Sequence, residues 1–118
     1  MKPLISMADY NTLLKQVTRP FEKKQLDKIA RNGVITADEQ LPGKAVRLNS
    51  IVYLWHSLLR KVVRIKLVPP AMADLASRNV SALSPLGQAV FGYNENDLLK
   101  VRIGGIKKEL KIVKVLNR

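Results

Sequence analysis

The spacing of apolar residues changes once along this 118-residue chain, near Lys44, and this change limits the folds open to it. Before Lys44, apolar side chains recur every three or four residues, as on one face of a helix. After Lys44 they alternate with polar ones, most clearly from Lys61 to Val68, as in a strand with one buried face. We therefore expect an α+β fold, with a helical segment at residues 1–43 and a sheet domain at residues 44–118.

Two short helices are expected in the first segment. Ser6 and Asp9 have the spacing of a capping box, which predicts the start of the first helix. Pro20 ends that helix and can open a second, and Gly33 is the expected stop of the second helix. Arms of about ten to twelve residues predict a short helical hairpin, about 15–18 Å long.

The second segment predicts a small, mostly antiparallel sheet crossed by one short helix. Strands are expected at residues 46–55, 61–68, 99–103 and 106–116. Gly104 and Gly105 predict a two-residue hairpin turn, because both positions tolerate a positive φ. Ser84 followed by Pro85 predicts the capped start of the helix. Thr36 and Glu39 have the spacing of a further capping box.

Charge is the most unusual feature of the composition. Twenty-one Lys and Arg against nine Asp and Glu give a net charge of +12, which favours an anionic partner without identifying it. The chain has no cysteine, which excludes disulfides and thiolate metal sites and fits a reducing compartment. Apolar runs are too short to span a bilayer, and the first residues lack a signal-like core. We expect a cytoplasmic protein with no membrane partner.

The segment at residues 79–92 resembles the signature of the GreA/GreB transcription factor family. That signature has the form hydrophobic-Ser-x-x-Ser-Pro-hydrophobic-Gly, followed by a small apolar helix that ends in glycine. Neighbouring segments are in register with the family as well. Residues 46–52 resemble its first strand, residues 68–71 its strand exit, residues 94–97 its turn before the penultimate strand, and residues 104–105 and 110–115 its closing hairpin.

The resemblance implies an FKBP-like C-terminal domain that docks on the rim of the secondary channel of bacterial RNA polymerase. The residues that match the part of the family fold implicated in docking are Ser81, Leu83, Ser84, Pro85 and Leu86. The alternative is purely structural, with Ser84 and Pro85 capping a helix while Leu83 and Leu86 pack in the core. Ser81 and Pro85 are the two for which we expect exposure.

The helical hairpin departs from the Gre pattern in length and charge. In Gre factors a long hairpin enters the channel, and acidic residues at its tip help to hold a catalytic metal. Here the arms are short, and the tip at residues 17–24 has one carboxylate, Glu22, among three basic side chains. A metal-assisting tip needs at least two convergent carboxylates. The closest resemblance is therefore to the short-hairpin members similar to Rnk, which lack Gre-like cleavage activity, and we expect no catalytic role, no metal and no cofactor.

Seven basic residues are expected on the surface of the sheet, mostly at outward strand positions. They are Arg47, Arg64, Lys66, Lys100, Arg102, Lys108 and Lys111. One interpretation is a solvated face. The other is an electropositive surface that steers the protein to polymerase or to its RNA and DNA, and an independent nucleic-acid-binding protein is the alternative function.

The remaining candidates for chemistry are weak. His56 is the only histidine, which makes a poor metal site without cysteine or a second histidine. Trp55 is expected to pack in the core or the hairpin rather than to serve as a stacking platform. An FKBP-like fold also suggests a peptidyl-prolyl isomerase, but six aromatic residues are too few for the aromatic-lined pocket of such enzymes. No small-molecule substrate is expected.

Overall fold

A computed structural model describes residues 2–117 of the chain, and these residues form three helices and seven strands. The helices are α1 (Met7–Gln16), α2 (Pro20–Asn32) and α3 (Pro85–Val90). The strands are β1 (Leu4–Ser6), β2 (Val34–Thr36), β3 (Ile51–His56), β4 (Lys61–Val68), β5 (Asn79–Ser81), β6 (Leu98–Ile103) and β7 (Ile106–Leu116). Short 3₁₀ turns lie at Asp38–Gln40 and Pro70–Met72.

The main sheet has five strands in the order β5-β4-β3-β7-β6. All neighbouring pairs are antiparallel except β4 and β5, which are parallel. Gly104 and Gly105 have φ of +61° and +80° and connect β6 to β7, so the predicted two-residue turn is present. The α+β fold with a mostly antiparallel sheet is therefore confirmed.

The two N-terminal helices lie close to their predicted positions. The Ser6 hydroxyl accepts a hydrogen bond from the Asp9 N–H at the start of α1, and Pro20 is the first residue of α2. A short parallel pairing of β1 with β2, which the apolar pattern did not predict, flanks them. Each of these strands has only three residues, which is too short for alternation to be recognised.

The predicted strand at residues 46–55 begins later than expected. Residues 46–50 form an irregular segment, and β3 begins at Ile51. The reason is local, because Asn49 has a φ of +71°, which a strand cannot contain, and the Ser50 hydroxyl accepts a hydrogen bond from the Arg47 N–H at 2.7 Å. The alternation of Val46 and Leu48 therefore reflects a turn over the core rather than a strand.

A β-bulge in β7 changes which of its side chains face the core. Tyr53 pairs with Lys114, but the next residue, Leu54, pairs with Ile112, so Val113 is the extra residue. Ile112 and Val115 are three positions apart and would lie on opposite faces of a regular strand. With the bulge, both are fully buried and Val113 is exposed.

The helices lie against the sheet and share its core. A single hydrophobic cluster contains Leu13 and Val17, Leu26 and Ile29, and sheet residues such as Leu67. The radius of gyration is 13.2 Å, close to the value of about 13.5 Å expected for a compact chain of this length, so no long element projects. The division at residue 43 remains a prediction about domain organisation.

Arg47 connects the helical segment to the sheet. Its guanidinium donates two hydrogen bonds of 3.2 Å to the Asp9 carboxylate in α1 and one of 2.7 Å to Asp38. The Ser6 hydroxyl donates to Asp38 at 2.7 Å and accepts from Arg47 at 3.1 Å. The Asp9 carboxylate also accepts from the Leu48 N–H at 3.0 Å. Asp9 therefore binds Arg47 and does not close the capping box with Ser6.

The electrostatics of this cluster follow from its hydrogen bonds. The hydroxyl of Ser6 lowers the pKa of the Asp38 carboxyl below its ordinary value, and the Ala8 N–H and Arg47 lower it further. The hydrogen bond with Asp9 raises the pKa of the Arg47 guanidinium. The predicted capping box of Thr36 with Glu39 is wrong, because a 3₁₀ turn without a side-chain cap begins after Ala37 and places Asp38 against Ser6 and Arg47.

We predict that Arg47→Met lowers the free energy of unfolding by about 2–3 kcal/mol, measured by urea denaturation. The substitution leaves the Asp9 carboxylate, whose side chain is only 11% exposed, without its guanidinium partner. Lys44→Met is the control, because Lys44 is exposed and makes no side-chain ion pair within residues 2–117. Equal urea midpoints for the two variants would contradict the role of Arg47.

Candidate functional site

The loop at residues 81–86 connects the edge strand β5 to the short helix α3. Ser81 is the last residue of β5, where it is in parallel register with Val68 of β4. The Ala82 N–H donates to the Val68 carbonyl at 2.8 Å, so the sheet ladder continues into the loop. Pro85 then begins α3 as its first residue, with Ser84 as the N-cap. We call residues 81–86 the connecting loop.

Side-chain hydrogen bonds fix the connecting loop. The Ser84 hydroxyl donates to the Ser81 carbonyl at 2.7 Å and accepts from the Gly87 N–H at 3.1 Å. The Ser81 hydroxyl accepts from the Leu83 N–H at 3.1 Å. Both serines therefore bond to neighbouring backbone groups, which makes the loop a preformed surface rather than an adaptable one.

Gly87 allows α3 to approach the end of β5 closely. A Cβ atom at this position would lie 1.9 Å from the Ser81 carbonyl oxygen and 2.9 Å from the Ala82 Cα. These neighbours are backbone atoms and cannot move aside cheaply. Gly87 of the signature is therefore required for a steric reason, because the helix packs closely onto the loop.

The five residues predicted to contact a partner differ in exposure. Pro85 is exposed, as expected, whereas Ser81, which was also expected to be exposed, is half-buried, as are Ser84 and Leu86. Leu83 is only 7% exposed and belongs to the hydrophobic core, so its expected place on an open docking surface is corrected to a core position. The structural alternative thus applies to Leu83, while Pro85 is the most accessible of the five.

Helix α2 forms the opposite wall of a groove beside the connecting loop. The groove has a volume of about 310 Å³ and is lined by Arg19, Phe21, Glu22, Gln25, Pro70, Ser81, Leu83 and Ser84. A hydrogen bond of 2.8 Å from the Gln88 side-chain amide to the Gln25 side-chain oxygen joins α3 to α2. The same amide donates to the Leu83 carbonyl at 2.8 Å. The first turn of α2 is therefore part of this surface, which sequence reasoning missed.

Exposed apolar side chains flank the connecting loop. Phe21 on α2 is 71% exposed, and Leu75, in the segment between β4 and β5, is 94% exposed. Met72 is exposed in the same segment. Leu75 lines a hollow together with Ser81 and Ser84, and Phe21 lines the groove with them. A concentration of exposed apolar side chains beside a preformed loop is typical of a protein-binding surface. We call these three residues the apolar fringe.

The carboxylate of Glu22, next to the turn between α1 and α2, already accepts hydrogen bonds from the backbone. Glu22 accepts hydrogen bonds of 3.3 Å from the Thr18 and Arg19 N–H groups and so caps the start of α2. Within residues 2–117, no three Asp, Glu, His or Cys side chains cluster as metal ligands. The acids near one another, Asp9 and Asp38, bind Arg47.

The seven predicted basic residues do not lie on one surface. Five of them lie on the outward face of the main sheet, where the register sets them beside one another: Arg64, Lys66, Lys100, Arg102 and Lys111. Arg47 instead pairs with Asp9 and Asp38 outside any strand, and Lys108 lies opposite Val101 on the other face. Expectations for Arg47 and Lys108 as outward strand residues are therefore corrected.

Trp55 and His56 lie near the β3–β4 hairpin, and the structure departs from expectation for Trp55. Trp55 is 40% exposed on the outward face, so the core, the first of its two expected environments, is wrong. Its partner across the β3–β4 hairpin is Val62. His56 accepts a hydrogen bond from the Leu59 N–H at 3.3 Å, and partial burial, with Lys108 nearby, lowers its pKa. This geometry gives His56 a structural place in the hairpin turn.

Comparison with known proteins agrees with the fold and with the connecting loop. Residues 41–117 match the model of the C-terminal domain of the transcription elongation factors GreA and GreB. This match covers the whole of the main sheet, α3 and the connecting loop. The chain belongs to the GreA/GreB family.

Relatives and solved structures agree with this assignment. The chain is 30% identical over 88 residues to the transcription elongation factor GreA of Pelobacter propionicus and 29% identical over 94 residues to that of Thermotoga neapolitana. These matches cover 75% and 80% of this chain but only 55% and 60% of the relatives. The chain thus aligns with little more than half the length of these curated relatives.

Among solved structures, a GreA/GreB elongation factor from Nitrosomonas europaea is 26% identical, with a TM-score of 0.68 and 99% of both chains covered. GreA factor homolog 1 of Thermus thermophilus, at 18% identity and a TM-score of 0.54, shares the fold, with 99% of this chain and 100% of that chain covered. Across residues 2–117, no helix is long and apolar enough to cross a membrane.

We predict that Gly87→Ala lowers the free energy of unfolding by about 2 kcal/mol, measured by urea denaturation, because the added methyl group overlaps the Ser81 backbone. Gly43→Ala is the matched control, since a Cβ there meets nothing within 4 Å. The control should change the unfolding free energy by no more than about 0.5 kcal/mol. A Gly87 variant as stable as the Gly43 variant would show that the close approach does not matter.

Proposed function

We propose that the protein is a transcription regulator that binds bacterial RNA polymerase through the connecting loop, at the rim of the secondary channel, without stimulating transcript cleavage. The observation that carries this proposal is the connecting loop itself. The hydroxyls of its two serines form hydrogen bonds with the backbone of the loop itself. The loop presents Pro85 to solvent beside an apolar groove. The relatives that match over residues 41–117 are named as transcription elongation factors.

The physical basis of binding is a preorganised surface with an apolar fringe. A loop that is already fixed loses little conformational entropy when it binds, so more of the contact energy appears as affinity. Phe21 and Leu75 are exposed at a cost in the free protein and would be covered in a complex. Leu83 contributes indirectly, by anchoring the loop in the core.

The absence of cleavage stimulation is proposed from the helical segment. Helices of 10 and 13 residues extend about 15 and 20 Å, and both bury side chains against the sheet. The carboxylate near their connection, Glu22, caps α2 and sits beside Lys23 and Lys24. Metal assistance would need convergent carboxylates, so we propose a short-hairpin, Rnk-like regulator that acts by occupancy.

We propose the class of protein and its location in the cell on the same grounds. It acts as a binding module rather than an enzyme, with no cofactor and no small-molecule substrate, and it works in the cytoplasm where polymerase is found. An independent nucleic-acid-binding protein is the second candidate. One observation favours it, which is the concentration of cations on the outward face of the sheet.

We predict that Pro85→Glu weakens the binding of core RNA polymerase by at least about tenfold, measured by biolayer interferometry on immobilised protein. Glu fits the first turn of a helix and is favourable there, so α3 should remain folded while a charge enters the surface. Ile106→Glu is the control, because Ile106 is also exposed but lies beside the β6–β7 turn. Equal affinity of both variants, or no binding of the wild-type protein, would overturn the docking proposal.

We predict no acceleration of RNA cleavage when the protein is added to backtracked elongation complexes, with a Gre factor as the positive control. In the same reactions, the protein should reduce the cleavage that the Gre factor stimulates, because both would occupy one site. Gel analysis of labelled transcripts measures both effects. Stimulated cleavage by this protein alone would show that the function proposed here is wrong.

A further inference from the structure

The outward face of the main sheet combines an exposed tryptophan and a half-buried tyrosine with cations on neighbouring strands. Trp55 of β3 lies opposite Val62 of β4 and Lys111 of β7. Two residues earlier, Tyr53 lies opposite Arg64 and Lys114 in the same way. Partners in register share a face, so the two aromatic rings lie side by side with cationic residues across the neighbouring strands.

The charge on this face is almost entirely positive. Seven cationic side chains lie on it: Arg64, Lys66, Lys100, Arg102, Lys107, Lys111 and Lys114. The opposing charge on the same face is the single carboxylate of Glu109, which is opposite Lys100. Both ion pairs found within residues 2–117 belong to Arg47, so these cations are not neutralised by salt bridges there.

Folding does not explain this arrangement. Arg102 lies directly opposite Lys107 in the β6–β7 ladder, and like charges in that position destabilise a sheet. Trp55 is 40% exposed, although a tryptophan gains more from burial. The β-bulge adds to the effect, because it places Lys114 and Val113 together on the exposed side of β7. A ligand that covers the face would compensate for both costs.

We propose that the outward face of the main sheet binds single-stranded nucleic acid, with Trp55 and Tyr53 stacking on bases and the surrounding cations contacting phosphates. Phosphates on a flexible strand match the density of cations, and unpaired bases offer the flat apolar surface that the rings need. A duplex hides those surfaces in its base stack, and the carboxylates of an acidic protein supply charge without them. This surface is distinct from the connecting loop, so the proposal does not rest on polymerase docking.

The chain contains its own reporter for this interaction, because Trp55 is its single tryptophan. Titration with a dT or rU 12-mer at low salt should quench the tryptophan emission as bases stack on the ring. Fluorescence anisotropy of the labelled oligomers gives the affinity in the same solutions. An abasic oligomer of equal length should bind more weakly and leave the emission unchanged, and a blunt duplex should bind at least about tenfold more weakly than the single strand.

Two variants separate stacking from charge. Trp55→Thr keeps a strand-forming residue and should weaken dT and rU binding about tenfold without changing the salt dependence. The combined variant Arg64→Gln, Lys111→Gln and Lys114→Gln should reduce the slope of log affinity against log salt by about 2. Circular dichroism checks that each variant is folded, and either variant alone can test the proposal.

The charge-matched control removes three cations from the helical segment. Lys15→Gln, Lys23→Gln and Lys24→Gln change exposed lysines that are not on the sheet. This control should retain the wild-type affinity within about twofold of the value expected from its lower net charge. The proposal is overturned if no saturable binding occurs, if the emission does not change on binding, if the duplex binds as tightly, or if the two triple variants lose equal affinity.

Discussion

The ion pair of Arg47 with Asp9 and Asp38 joins the helical segment to the chain that leads into the main sheet. Asp9 lies in α1, Asp38 follows β2, and Arg47 precedes the main sheet, so one guanidinium joins three segments. Because Asp9 also accepts the Leu48 N–H, the start of α1 is fixed against the approach to β3. The shared hydrophobic core and the hydrogen bond between Gln88 and Gln25 hold α2 in place, with its first turn beside the connecting loop. A hairpin that is held in this way contributes a wall to a binding surface instead of extending away from the body.

The elements that depend on local chemistry could be predicted from the sequence. The Gly104–Gly105 turn, the start of α3 at Ser84 and Pro85, and the break at Pro20 each follow from residues within four positions of one another. Features that depend on distant partners could not be predicted. Arg47 finds Asp9 across 38 positions, and the bulge at Val113 is defined only by pairing with β3. The exposure of Trp55 could not be predicted for the same reason, since it depends on which face of β3 the strand pairing leaves on the outside of the sheet.

The connecting loop shows that a family signature can carry structural and surface roles at once. Gly87 and Leu83 fix the loop from inside, one by permitting backbone contact and the other by burial. Gly92, at the end of the signature, has a φ of +85° and its carbonyl accepts the Leu4 N–H, which ties β1 to the sheet domain. Only Pro85 is plainly exposed among the five candidate contacts. Most of the recognisable pattern therefore maintains the shape on which a small exposed surface depends.

The cations of the outward face connect folding with binding. Arg102 and Lys107 repel each other in the free protein, whereas the hydrophobic core on the inward face of the sheet stabilises the fold. A polyanion bound to the outward face would neutralise this repulsion and bind the folded state more tightly than the unfolded chain, which does not hold these residues in register. Such a ligand stabilises the fold in proportion to the logarithm of its concentration above the dissociation constant. The sheet can tolerate a destabilising outward face because its inward face is buried in the hydrophobic core.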